Sequence, residues 1–392
     1  MSPMLPRIFP LTRPARFALF YAAFYLGFGA YLPYMPVWFE GRGLSAELIG
    51  LAAGAGMAGR VIAAPLAVAL ANRLPKRRYA ILAFTIASLF IFLAHIPAQN
   101  PILIVILAGI AGCTVTGMIP IIDAWAVRDS VRRRFAFGPP RAFGSATFIV
   151  GNVLGGWLIS LYGGEAALYW LLMGCALSVV AAALLPEGLP SVAATENTKL
   201  KISSLILAPG LALALAASAL LQGAHGFYYG FSTLAWTSTG VPTEAVGLLW
   251  ATGVGAEIIF FAAMGRYMGG LNPAWLLVFG GVASVVRWLA LALAPPLSVL
   301  FVLQGLHAFS FGASYFGFLR FVALNVPEKH GATIQAVNSA LSGGLVLAGA
   351  TYASGFAFAQ LGAGGFAIMA IPAGLGLVCA LKLAFTPSKP AE

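Results

Sequence analysis

The chain has 392 residues, 60% of them hydrophobic and only 8% charged, with a net charge of +11 and a mean hydropathy of +0.93. Soluble domains carry about 25% charged residues, and a soluble fold has nowhere to place so much apolar surface, so the bilayer is the solvent. Cys113, Cys175 and Cys379 lie singly among apolar residues, without CxxC or His pairing, which excludes a disulfide framework or a cysteine metal site.

From the N-terminus, "MSPMLPRIFPLTRPARFALFYAAFYLGFGAYLP" runs from basic residues straight into a full-length apolar span, with no cleavable signal pattern. Windows of about 20 apolar residues predict twelve spans, beginning near residues 16, 46, 79, 101, 142, 166, 207, 243, 274, 297, 332 and 364. Loops are short, and nothing shows the alternating ten-residue pattern of barrel strands. The fold class expected is an all-α membrane protein of twelve transmembrane helices. Span 1 carries "GAYLPYMPVW", whose Gly29, Pro33 and Pro36 predict a bent helix beside a cavity.

Of the 22 Lys and Arg, all except Arg42, Arg60 and Arg287 fall on one side of that topology. The positive-inside rule then places both termini in the cytoplasm of a bacterial inner-membrane protein. The basic charge is a topology signal, and a nucleic-acid partner is excluded.

"GLSAELIGLAAGAG" (43–56) and "GVPTEAVGLLWATG" (240–253) align without gaps at an offset of about half the chain: Gly43 with Gly240, Glu47 with Glu244, Gly50 with Gly247. A duplicated six-helix unit predicts such an offset. The longest polar stretch, "PEGLPSVAATENTKLK", joins the halves. The expected domains are an N-terminal bundle (1–185), a cytoplasmic linker (186–204) and a C-terminal bundle (205–392). Two parallel six-helix halves resemble the major facilitator superfamily. The repeat also places Arg60 (span 2) and Glu257 (span 8) at matching depth, either as a structural ion pair or facing a cavity.

Intramembrane ionisable residues are functional candidates by default: here Arg60, Asp123, Arg141, His225, Glu257, Arg287 and His307. Two carboxylates face three guanidiniums, a surplus that favours an anionic substrate, since Arg holds a carboxylate bidentately. Glu257 and the histidines could serve proton coupling. His225 in "LLQGAHGFYYGF" could equally bond a neighbouring carbonyl. The aromatics Phe227, Tyr228, Tyr229, Phe231 and Trp236 are packing or belt residues, or, with Gly223, Gly226 and Gly230, the walls of a slot for a planar ring. GxSxG, HExxH and P-loop motifs are missing, and "GAGMAG" lacks a strand context. No catalytic residue, metal or cofactor is expected, which argues against an enzyme or an ATP-driven pump.

"RRRFAFGPPRAFGS" (132–145) resembles the segment joining spans 4 and 5 in the lactose permease family, and "LQGLHAFSF" (303–311) resembles its span 10. The resemblance implies that Asp123 pairs with a substrate-binding Arg141 and that Phe148 stands at the sugar-stacking position. It also makes Glu257, Arg287 and His307 counterparts of that family's glutamate, arginine and histidine. Gln304 stands for a lysine, and Ser310 for the glutamate that carries the proton, so that route is not reproduced. In the loop motif "ANRLPKRR", Asn72 replaces Asp and Pro75 replaces Gly. "LLQGAHGFYYGFSTLAW", "AVGLLWATGVGAEIIFF" and "SVVRWLA" resemble the phenylpropionate permease family over nearly the whole chain. The resemblance implies a proton symporter of a small aromatic carboxylate, with Arg60, Asp123, Arg141, Phe148, His225, Tyr228 and Tyr229 binding substrate. Glu257, Arg287 and His307 would couple the proton. A neutral sugar or nucleoside symporter and a proton-driven drug exporter are the alternatives, with a receptor or enzyme behind them. The expected partners are the small molecule, protons and the bilayer, with the protein working as a monomer.

Overall fold

The computed structural model describes residues 11–74, 76–186, 206, 208–267 and 270–386. Residues 187–204 of the linker read at 186–204 lie outside the described residues, as do Pro75 and the side chain of Asn72. No strand occurs among the described residues.

In the N-terminal half the spans are α1 (Arg13–Gly41), α2 (Ala46–Arg73), α3 (Arg77–His95), α4 (Pro101–Arg133), α5 (Gly138–Tyr162) and α6 (Glu165–Ala183). The other half begins with α7, made of Pro209–Gly223 and Gly226–Ser238 broken at Ala224–His225, followed by α8 (Thr243–Tyr267) and α9 (Pro273–Ala292). α10 joins Leu297–Gly305 to Ser314–Asn325 through a π-helical turn, Ala308–Ala313. α11 joins Glu328–Ser339 to Leu347–Leu361 through a second one, Ala340–Val346. α12 opens with a 3₁₀ segment, Gly362–Met369, and continues as Ala370–Phe385.

Eleven stretches are long and apolar enough to cross a bilayer, the last being His330–Phe385, 56 residues. A straight helix of that length would run about 84 Å, nearly three times a hydrocarbon core of about 30 Å. The chain reverses at Gly362 (φ +53°), and a Cβ on Gly365 would lie 3.2 Å from the Ala357 carbonyl carbon. The last stretch therefore contains two spans, twelve in all.

Helix starts follow local chemistry. Asn100 and Asn272 each precede a proline at the first helical position, and each accepts a backbone N–H two residues on, at 2.9 Å. The repeated segments adopt the same turn, with Gly43 at φ +76° and Gly240 at φ +89°, a region open to glycine at no steric cost. Their other matched glycines do the same work in each half. Gly50 of α2 packs on α11, where an added Cβ would lie 2.9 Å from Gly355; Gly247 of α8 packs on the backbone of Asn152 in α5. Small residues at such crossings let helix backbones approach closely, which is how spans associate in lipid.

These contacts between halves lie at the end opposite the basic loops. There the Thr233 hydroxyl donates to the Pro33 carbonyl at 2.5 Å, and a Cβ on Gly156 would meet the Thr243 carbonyl at 2.9 Å. That end is shut. Gly247→Val should push α5 and α8 apart and open it. Spin labels on Ser160 and Glu244, in a background with Cys113, Cys175 and Cys379 replaced by serine, should separate by more than about 5 Å relative to the parent. An unchanged distance would show that the glycine contact does not hold the end shut.

Candidate functional site

Three groups of polar residues lie within the membrane-spanning region. In the first, α4 carries Asp123 three residues after Pro120, and α5 carries Arg141. The Arg141 Nε to Asp123 Oδ1 distance is 3.8 Å, with both side chains about one-third exposed. Shorter bonds come from α1: Tyr21 donates to Asp123 at 2.7 Å, and Arg141 donates to the Tyr25 hydroxyl at 2.8 Å. The guanidinium also covers the Tyr25 ring at 4.6 Å. Phe148 packs against Tyr25 and Phe28, with centroids at 6.4 and 6.1 Å.

The second group is centred on Arg287, which has no exposed surface. Its Nε donates to the Leu303 carbonyl at 3.1 Å, Nη2 to Gln304 Oε1 at 2.6 Å, and Nη1 to Ser310 Oγ at 3.1 Å. Nη1 also faces His307 Nδ1 at 3.0 Å. A guanidinium has no acceptor, so His307 Nδ1 accepts and the ring proton sits on Nε2, pointing at Glu257 Oε2 3.5 Å away. Tyr228 and Trp288 present ring faces to the same guanidinium at 4.9 and 4.7 Å. His225 Nδ1 lies 3.1 Å from the Gln222 carbonyl and 3.2 Å from the Leu221 carbonyl, so Nδ1 carries its proton. Its Nε2 is left to accept from Ser310 at 3.5 Å. Glu257 pairs here with His307 and not with Arg60.

The third group lines a cavity of about 450 Å³ between the halves, within the usual size for small-molecule sites. Its walls are Leu32 (α1), Arg60 (α2), Gln222 and Tyr229 (α7), Phe311 and Tyr315 (α10), and a strip of α11 that includes Gln335, Asn338, Ser339 and Ser342. Phe311 and Tyr315 are stacked, centroids 6.1 Å apart. Both π turns border the cavity, a frequent setting for π-helical turns.

Of the residues expected to bind substrate, Arg60 and Tyr229 line this cavity. Asp123, Arg141 and Phe148 form the first cluster, on the N-terminal half. His225 and Tyr228 are shut behind the wall, at 0% and 1% exposure. Glu257 keeps 24% of its side chain exposed, and His307 keeps 6%.

The slot suggested by Gly223, Gly226 and Gly230 does not exist, because α11 occupies it: Val346 covers Gly223, Ala350 covers Gly226, and Thr351 covers Gly230. Phe227, Phe231 and Trp236 are buried core. The α11 strip went unread in the sequence. Its signal was the spacing of Gln335, Asn338, Ser339 and Ser342 on one face of an apolar span. Among the described residues no cluster of His, Cys, Asp or Glu could hold a metal.

Arg287 makes four bonds in three directions, a fork that an ammonium cannot reproduce. Arg287→Lys should therefore destabilise the protein by about 1–3 kcal/mol through acceptors left unpaired, read as a fall in thermal unfolding midpoint. A midpoint equal to wild type would show that the network does not depend on that fork.

Comparison with known proteins agrees with this architecture. The chain is 31% identical over 361 residues to a probable 3-phenylpropionic acid transporter of Escherichia coli (strain K12), covering 91% of this chain and 94% of the relative. It is 26% identical to a maltose permease of Geobacillus stearothermophilus, covering 85% of each. Among solved structures, the nucleoside transporter NupG superimposes with a TM-score of 0.76 at 16% identity, covering 95% of this chain and 98% of that one. A D-xylose-proton symporter superimposes with a TM-score of 0.71 at 15% identity, covering 95% and 98%. These are transporters, not enzymes. The MFS_1 like family model matches residues 15–367, and the chain belongs to that family of multi-pass major facilitator transporters.

Proposed function

We propose that this protein is a proton-coupled symporter that imports a small aromatic carboxylate, such as 3-phenylpropionate, by alternating access. Arg60 carries the reading. Its guanidinium lines the cavity, its Nε has no hydrogen-bond partner, and no carboxylate pairs with it among the described residues. A cation held at that depth costs about 2.5 kcal/mol or more, and a substrate carboxylate would offset this with a bidentate contact. Arg141 is the second anchor, held by Asp123 and Tyr25 while the site is empty. Tyr229, Phe311 and Tyr315 contact the ring, with Phe148 next to Arg141, and Tyr228 and His225 brace the wall from behind. Glu257 carries the proton, since it is the carboxylate of the C-terminal cluster and is partly open, while His307 and Arg287 orient it. The likeness to a probable 3-phenylpropionic acid transporter supports the substrate class, and the likeness to a D-xylose-proton symporter supports proton coupling.

In this reading the bundles 1–185 and 205–392, joined through the linker 186–204, rock against one another in the inner membrane of a bacterium. Both termini are cytoplasmic, and the monomer is the working unit. The conformer is inward-facing, because the shut end lies opposite the basic loops. A second reading, a neutral sugar substrate, draws on the maltose permease relative.

Two experiments test the proposal. Arg60→Lys should weaken binding of 3-phenylpropionate at least about ten-fold, and the amide of the acid should not bind wild type. Equal binding of acid and amide would favour the neutral substrate. Glu257→Gln mimics the protonated carboxyl without a removable proton. In proteoliposomes it should abolish accumulation driven by a pH gradient while sparing counterflow. Uphill accumulation by that variant would place the proton on another group.

A further inference from the structure

The wall of α11 carries neutral polar side chains that the aromatic-acid reading does not use. Gln335, Asn338 and Ser339 line the cavity with Ser342. Ser342 donates to the Asn338 backbone carbonyl at 2.7 Å. The Asn338 side chain is different: the residue is 4% exposed, its Oδ1 is buried, and that oxygen has no hydrogen-bond partner. Its place relative to the cation is set by Gly343, where an added Cβ would lie 3.6 Å from the Arg60 guanidinium. Asn338 is five residues from Gly343 along α11, roughly 7.5 Å at helical rise. The cavity thus offers a cation at one point and a neutral amide, flanked by Gln335 and Ser339, further along the same wall.

From this arrangement we infer that the substrate carries a hydroxyl group on its ring, received by Asn338 with Gln335 and Ser339, in addition to the anionic group at Arg60. The inference rests on the aromatic-acid reading above and narrows it. An amide both donates and accepts, as does a hydroxyl, so the two are matched in either orientation of the Asn338 side chain. A bare phenyl ring would displace water from these groups and return no hydrogen bond, leaving polar atoms buried and unpaired. A site built to receive a hydroxyl discriminates against the analogue that lacks it. Phe311 and Tyr315 form the aromatic wall against which such a ring would lie.

The test is isothermal titration of the purified full-length protein with four ligands. These are 3-phenylpropionate, its 3- and 4-hydroxyphenyl analogues, and the methyl ether of whichever phenol binds more tightly. One hydroxylated acid should bind at least about ten-fold more tightly than 3-phenylpropionate, equivalent to about 1.4 kcal/mol, and its ether should lose that gain. In Asn338→Leu the ratio of the two dissociation constants should fall to within about two-fold of unity. Gln335→Leu should reduce the same ratio, and it supplies the reading if the first variant does not fold. Wild-type affinities for all the acids within two-fold of one another would overturn the inference while leaving the aromatic-acid reading intact. So would a ratio that survives Asn338→Leu. Failure of every acid to bind, with binding of maltose or a nucleoside instead, would overturn both.

Discussion

A guanidinium with no exposed surface, deep in a membrane protein, dictates the order of everything around it. Arginine does not give up its proton in proteins, so Arg287 must be surrounded by acceptors. It finds the Leu303 carbonyl, Gln304 Oε1, Ser310 Oγ and His307 Nδ1. Each bond fixes the direction of the next. His307 accepts on Nδ1 and therefore presents its proton to Glu257; Ser310 accepts from Arg287 and so turns its own hydrogen toward His225. One cation thereby sets the orientation of a chain running from the partly open Glu257 to the sealed His225. The residues that depart from the lactose permease pattern, Gln304 and Ser310, are both acceptors for Arg287, so the departures are consistent with one another.

The backbone makes this possible. At Ala308 α10 changes from α- to π-helical pitch, and nearby carbonyls take bonds from side chains of other spans. The Leu303 oxygen takes Arg287, and the Phe311 oxygen takes the Gln222 amide at 3.1 Å. α11 makes the same change of pitch over Ala340–Val346, beside Arg60. Both π turns border the cavity, on spans of the half that holds most of its wall. The N-terminal half contributes Leu32 and Arg60 to that wall, with helices that stay α-helical throughout.

How much of this could be read in the sequence depends on whether the signal was local. Spans and their order were legible because a run of about 20 apolar residues has one meaning in lipid. The repeat was legible because its glycines serve one geometric purpose in each half: a left-handed turn at Gly43 and Gly240, and a close helix crossing at Gly50 and Gly247. The buried charges stood out by their cost. Neighbours in space did not. Gly223, Gly226 and Gly230 mark a surface without side chains, and such a surface suits a ligand or another helix equally; α11 fills it. The α11 strip was missed because Gln, Asn and Ser carry no charge and so do not stand out against an apolar span. The π turns have no residue signature that would have found them.

The charge surplus noted in the sequence acquires a location in three dimensions. Arg141 has Asp123 at 3.8 Å, close enough for attraction even though Tyr21 and Tyr25 make the shorter bonds. Arg287 is linked to Glu257 through His307, which is neutral in the tautomer the guanidinium imposes. That leaves Arg60, whose Nε is buried without a partner and whose head faces the cavity between the halves. With two of three guanidiniums matched inside their own half, the unmatched cation lies where the halves meet. In a site of low dielectric that field is weakly screened, and an anion lodged there contacts α2 on one side and α11 on the other. An anion held by both halves at once would couple its own binding to their relative position, as the proposed alternating-access cycle demands.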